Sequence, residues 1–115
     1  SVIYRTVAQE LNHLAQGKAS LKIALIYSDL TENSSDANFY AKSSITELKT
    51  RPQKVIDRLQ RAEPLHDLKG VKVYFVFRPK TYAEEERFNA IVSMYKMMLE
   101  AKGAQVIVGA NLVTE

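Results

Sequence analysis

Leu21-Lys-Ile-Ala-Leu-Ile-Tyr27-Ser28-Asp29-Leu-Thr31-Glu32-Asn33-Ser34 decides the fold. The first seven residues are almost continuously apolar, a density that suits a strand covered on both faces of a parallel sheet. At Ser28 the chain turns polar. Two carboxylates, Asp29 and Glu32, and four small polar side chains, Ser28, Thr31, Asn33 and Ser34, follow at once. In open α/β sheets ligands bind beyond the carboxyl ends of the strands. No other strand end in this sequence carries such a concentration of oxygen ligands.

Working outward, helical and extended patterns alternate three times. Residues 2–15 place Ile3, Val7, Leu11 and Leu14 on one helical stripe, and Gly17 ends it. A second helix is expected from Thr50-Arg-Pro-Gln53, read as a capping box with proline in the first turn. Val55, Ile56, Leu59 and Ala62 form its apolar face, and Pro64 stops it. Val71–Phe77 reads as the second strand. Thr81-Tyr-Ala-Glu84 is another capping box, opening a long helix with Phe88, Ile91, Val92, Tyr95, Met98 and Leu99 on its stripe. Tyr95 and Met98 are expected in the core, with Met94 and Met97 available to a partner. Gly103 closes this helix, and 104–109 is the last strand.

Helix–strand alternation of this kind demands parallel strands joined by crossovers. The expected fold is therefore α/β: a three-layer, Rossmann-like parallel sheet of at least three strands, built as one domain over 1–115. Segment 31–50 is too long for an ordinary connection. Phe39, Tyr40, Ile45 and Leu48 within it point to a partly ordered excursion.

Composition narrows the function classes. At 46% hydrophobic and 25% charged residues the chain is an ordinary globule. Its zero cysteines exclude disulfides, thiol catalysis and thiolate-held zinc. The net charge of +3 falls well short of a nucleic-acid signature. Neither a charged-then-apolar leader nor an apolar run of about 18 residues is present, which favours a soluble, cytoplasmic chain with no membrane partner. Phosphate loops of the GxGxxG or GxxxxGK[ST] kind are absent. His13 and His66 sit on separate elements with no paired nucleophile, so solvated or capping roles are expected for them.

Strand 21–28, the most apolar of the three, is expected at the centre of its sheet, yet no other segment clearly pairs with its far side. Two explanations follow: the chain is half of a larger domain, consistent with its start at Ser1, or two copies join as a homodimer through the uncovered edge of 21–28.

The order helix, apolar strand, Ser28-Asp29-Leu-x-Glu32-Asn33-Ser34, helix, Val71-Lys-Val-Tyr-Phe-Val76, long helix, Gly103-Ala-x-Val106 resembles the C-terminal half of a von Willebrand factor A-like (VWA-like) domain, over residues 2–112. In that family a strand ending in Ser/Thr-Asp is the fourth of six. The resemblance implies a non-enzymatic protein-interaction module whose metal-ion-dependent adhesion site takes one ligand from this position. Asp29 would hold Mg²⁺ in the intact parent, with Ser28, Glu32 and Asn33 orienting the shell. A protein partner would dock on the carboxyl-edge loops through Ser28, Asp29, Thr31, Glu32, Asn33, Ser34 and Arg78. The family's Asp-x-Ser-x-Ser ligand motif does not occur in this sequence.

The residues alone leave other readings open. Asp29 and Glu32 suit a hard cation such as Mg²⁺, which allows a small Mg²⁺-dependent hydrolase or phosphotransfer domain with Asp36 or Arg78 as the further group. Against both stands the plain reading, in which Asp29, Asn33 and Ser34 shape a turn and Arg78 pairs with the acidic loop or with Glu84–Glu86.

Overall fold

A computed structural model describes residues 1–109. Its elements are α1 (Tyr4–Gln16), β1 (Lys22–Tyr27), α2 (Lys42–Thr50), α3 (Pro52–Ala62), β2 (Val71–Val76), α4 (Tyr82–Ala101) and β3 (Gln105–Gly109). The strands form one parallel sheet in the order β1-β2-β3, with Tyr27 beside Val76 and Phe75 beside Val108. The α/β class, the parallel strands and the intervening helices are as expected. Residues 110–112 of the family resemblance lie outside the described residues.

Both crossovers step in the same direction across the sheet. Right-handed connections then place α2–α3 and α4 on the same face. Burial agrees. Val71, Val73, Phe75 and Val106 project into one core with Tyr4, Ala8 and Leu11 of α1, Val55, Ile56 and Leu59 of α3, and Phe88, Ile91, Tyr95 and Met98 of α4. The opposite face of the sheet carries Ile23, Leu25 and Tyr27 on β1, Tyr74 on β2 and Ile107 on β3, none of which belongs to that core.

Three expectations need correction. First, β1 is not covered on both faces: its residues alternate between half-buried and exposed, and Ile23, Leu25 and Tyr27 are 43%, 52% and 59% exposed. Second, β1 is not central. It pairs only with β2, so β2 is the middle strand and the outer edge of β1 is open among the described residues. Third, the supposed loop 31–50 ends in a helix, α2, and Thr50 is its last residue rather than a cap for the next. Thr50 Oγ1 donates to Thr46 O within α2, and Gln53 bonds Asp57, so no capping box forms there. Pro52 does occupy the first turn of α3.

At α4 the box is half formed. Thr81 Oγ1 accepts from Glu84 N–H, whereas Glu84 Oε1 accepts from Lys80 N–H. Gly103 ends the helix at φ +100, and a Cβ there would stand 3.1 Å from Lys69 N, so both conformation and space demand glycine. Met94 is buried beside Tyr95, Met98 and Leu99, correcting its assignment as a partner-facing residue, while Met97 is exposed.

Candidate functional site

The polar segment after β1 is a hydrogen-bonded turn. Ser28 Oγ accepts from Leu30 N–H at 2.9 Å, and Asp29 Oδ1 accepts from Thr31 N–H at 3.0 Å. These are the local turns that Ser and Asp side chains make with the backbone two residues on. Between them Leu30 adopts φ +60, a left-handed conformation unfavourable for leucine. Its side chain is fully buried, which offsets that strain.

Glu32 is fully buried, and its carboxylate has a structural task. Oε1 accepts from Ile3 N–H at 3.1 Å and Tyr4 N–H at 2.8 Å, and Oε2 accepts from Ser34 Oγ at 2.6 Å. Ile3, the residue that caps the start of α1, offers no side-chain hydrogen bond of its own. Glu32 therefore caps it from 28 residues away, placing an anion at the positive end of the helix.

The remaining site residues serve the same junction. Thr31 is buried, its hydroxyl aimed at Asp29 O. Asn33 and Ser1 exchange backbone bonds: Asn33 N–H donates to Ser1 O, and the Ser1 ammonium donates to Asn33 O. Ser34 Oγ also accepts from Asp36 N–H. Asp36 is held by both Nε and Nη2 of Arg5, at 2.7 and 3.0 Å, and that fork keeps its carboxyl below the usual carboxylate range. Arg78 lies exposed two residues past β2, at the same edge of the sheet as Asp29.

Of the residues singled out from the sequence, Ser28, Asp29, Thr31, Glu32, Asn33 and Ser34 do come together, but largely as one another's partners and as the seat of α1. Among the described residues no group of three or more His, Asp or Glu side chains is arranged to hold a metal ion. His66 Nδ1 lies 3.3 Å from Gln16 Nε2, and His66 N–H donates to Asn12 Oδ1. Asn12, buried in α1, also donates to Pro64 O, a tie between helix and turn that the sequence pattern gave no sign of.

Beneath this junction the Tyr4 and Tyr95 rings meet tilted at 54°, with 6.3 Å between centroids. Tyr4 donates to Glu63 O, whereas the buried Tyr95 hydroxyl has no hydrogen-bond partner among the described residues. Burial is the main cause that pushes both phenols upward; Glu63 adds to it for Tyr4 and Glu32 for Tyr95. A phenol raised in the folded chain stabilises it below the unfolded value, near 10, and that stability is lost as pH rises further. The unfolding free energy from urea titrations should therefore hold up to about pH 10 and then fall, by about 1.4 kcal/mol per pH unit for each tyrosine still protonated in the folded chain. A flat profile to pH 11 would contradict this.

A second feature escaped the sequence reading. A cleft of about 350 Å³ lies between α1 and the open edge of β1, lined by Thr6, Val7, Glu10 and Leu11 and by Ala24 to Tyr27. It borders the exposed apolar side of the sheet, and Tyr27 leads directly into Ser28 and Asp29. No helix among the described residues is long and apolar enough to cross a membrane. No family model, curated protein or solved structure matches the chain.

Proposed function

We propose that this chain is a non-enzymatic protein-interaction module of VWA-like type, whose partner docks on the uncovered side of the sheet and its carboxyl edge. The observation that carries the reading is the exposure of Ile23, Leu25 and Tyr27 along one strand. Contiguous apolar side chains left in solvent mark interaction surfaces. The hydrogen-bonded Ser28–Ser34 turn beside them supplies a rigid rim, which lowers the ordering cost of binding. Support for the VWA-like type comes from three parallel strands in sequential order, Asp29 just beyond the first, and an open edge on that first strand where further strands would join. In such a parent Asp29 would contribute one Mg²⁺ ligand. The alternative, a Mg²⁺-dependent hydrolase using Asp29 and Glu32, is disfavoured by Glu32, whose two oxygens already serve three donors.

Two measurements test this reading. Tagged wild-type chain and Tyr82→Asp, altered on an exposed residue of α4, should co-purify the same polypeptide, and Leu25→Asp should lose it. Identical co-purification by all three would overturn the reading. For the chain alone, NMR signals of residues 28–36 should stay unmoved through millimolar Mg²⁺, since Asp29 is a lone carboxylate with one oxygen already engaged. A saturable shift confined to those residues would instead favour a self-contained metal site.

A further inference from the structure

We propose that the pocket between α2 and the N-terminal half of α4 binds a phosphomonoester, a compact dianion carried on a flat, largely apolar body. The proposal goes beyond the interaction reading above and does not rest on it.

The pocket encloses about 350 Å³. Helix α4 follows the carboxyl end of β2, so its first turns stand near the sheet edge where ligands of open α/β folds bind. Lys42 and Arg87 both line the pocket, and neither forms an ion pair among the described residues. A third cation, Lys49, is matched at 3.0 Å by Glu86, the only acidic residue in the lining, which leaves two positive charges uncompensated. Lys42 sits in the first turn of α2, where a cation opposes the helix dipole and no acidic residue offsets it, so helix stability does not account for its place. Arg87 is steadied by an aromatic ring. Its guanidinium carbon lies 5.2 Å from the centre of Tyr40, a cation–π contact that leaves the N–H fork for a ligand.

Charge and size together select the occupant. Two unmatched cations suit a dianion better than a single carboxylate, and a phosphomonoester carries about −1.5 to −2 at pH 7 with three strong acceptor oxygens. The volume lies at the lower end for ligand pockets. It admits a small molecule or one side chain and has no room for a helix or a nucleic-acid duplex. Ile45 and Ala83, beside the exposed Tyr40, give the body that bears the phosphate an apolar wall.

The first probe is phenyl phosphate, followed by NMR. It should shift signals of residues 40–49 and 83–90 saturably, with a dissociation constant of about 1 mM. Inorganic phosphate, which lacks the ring, should bind about tenfold more weakly. Lys42→Gln and Arg87→Gln should each weaken phenyl phosphate about fivefold, the worth of one exposed charge pair. Lys42 is exposed, so its replacement leaves the fold intact, and the spectrum itself reports that. Glu86→Gln should strengthen binding by a similar factor, because it releases Lys49 to the ligand. Lys54→Gln removes the same charge from an exposed position on α3, outside the pocket, and should change nothing. No saturable shift at ten times the expected constant would overturn the proposal. So would equal weakening by Lys54→Gln and Lys42→Gln, which would mean diffuse attraction, or a Glu86→Gln variant that binds no more tightly than wild type. Adenosine monophosphate and an acetylated, amidated Gly-phosphotyrosine-Gly peptide then separate a free ligand from a partner's side chain. Whichever binds more tightly names the source, and failure of both to exceed inorganic phosphate would also overturn the proposal.

Discussion

Glu32→Ala should destabilise the chain by about 3–5 kcal/mol, the range for removing one member of a buried charged network. The argument runs through what is left behind. Ile3 N–H, Tyr4 N–H and Ser34 Oγ–H all donate to this carboxylate, and Tyr4 and its surroundings are buried. Alanine leaves those donors without an acceptor in a site too enclosed for ready hydration, and each charge-assisted bond contributes about 1.5–3 kcal/mol. Helix α1 also loses its only side-chain cap and the anion at its positive end. Set against a total stability of about 5–15 kcal/mol, the loss would bring the chain close to unfolding. Glu32→Gln separates the contributions. The amide oxygen still accepts from both backbone donors, and Ser34 Oγ can accept from the new NH₂, so only charge is removed and the cost should be about 1 kcal/mol. Urea unfolding followed by circular dichroism measures both. An alanine variant within 1 kcal/mol of wild type would show that Glu32 does not seat α1.

This role explains what the sequence could reveal and what it could not. The three strands were legible because apolar runs stand between turn residues, with Gly17, Gly70 and Gly103 marking approaches to them. The position of Asp29 and Glu32 beyond β1 was legible for the same reason. The use of Glu32 was not, because its donors are residues 3 and 4, brought near by folding alone. Helix α2 was hidden by Ser43, Ser44 and Thr46, poor helix formers that leave only Ile45 and Leu48 as an apolar signal. The capping box read at Thr50–Gln53 failed because Thr50 was already committed as the end of that unseen helix. In β1, Ala24 and Ile26 are apolar on the covered side and Ile23, Leu25 and Tyr27 on the bare side. Composition makes such a strand look doubly buried, and only the topology, with every described helix on one face, tells the two sides apart.

That one-sidedness gives a second large effect. Phe75→Ala, in the middle of β2, should cost about 3–5 kcal/mol. The ring is fully buried and meets Tyr95 edge-on at 5.6 Å, so alanine leaves a cavity that the sheet on one side and α4 on the other cannot close. Leu25→Ala, on the neighbouring strand but on the opposite face, should cost no more than about 0.5 kcal/mol, as surface substitutions do. Leu25 pairs in register with Tyr74 and Phe75 with Ile26, so the two positions differ by one residue step and one face. Denaturant midpoints with unchanged slopes would report the contrast as a pure stability difference. Equal losses would mean that the face bearing Leu25 is packed and would remove the basis for a docking surface there. The expected asymmetry has a functional consequence. Ile23, Leu25 and Tyr27 contribute little to holding this chain folded, so their apolar area remains available to stabilise a complex. Burying it against a partner surface releases the hydrophobic free energy that folding of this chain leaves unused.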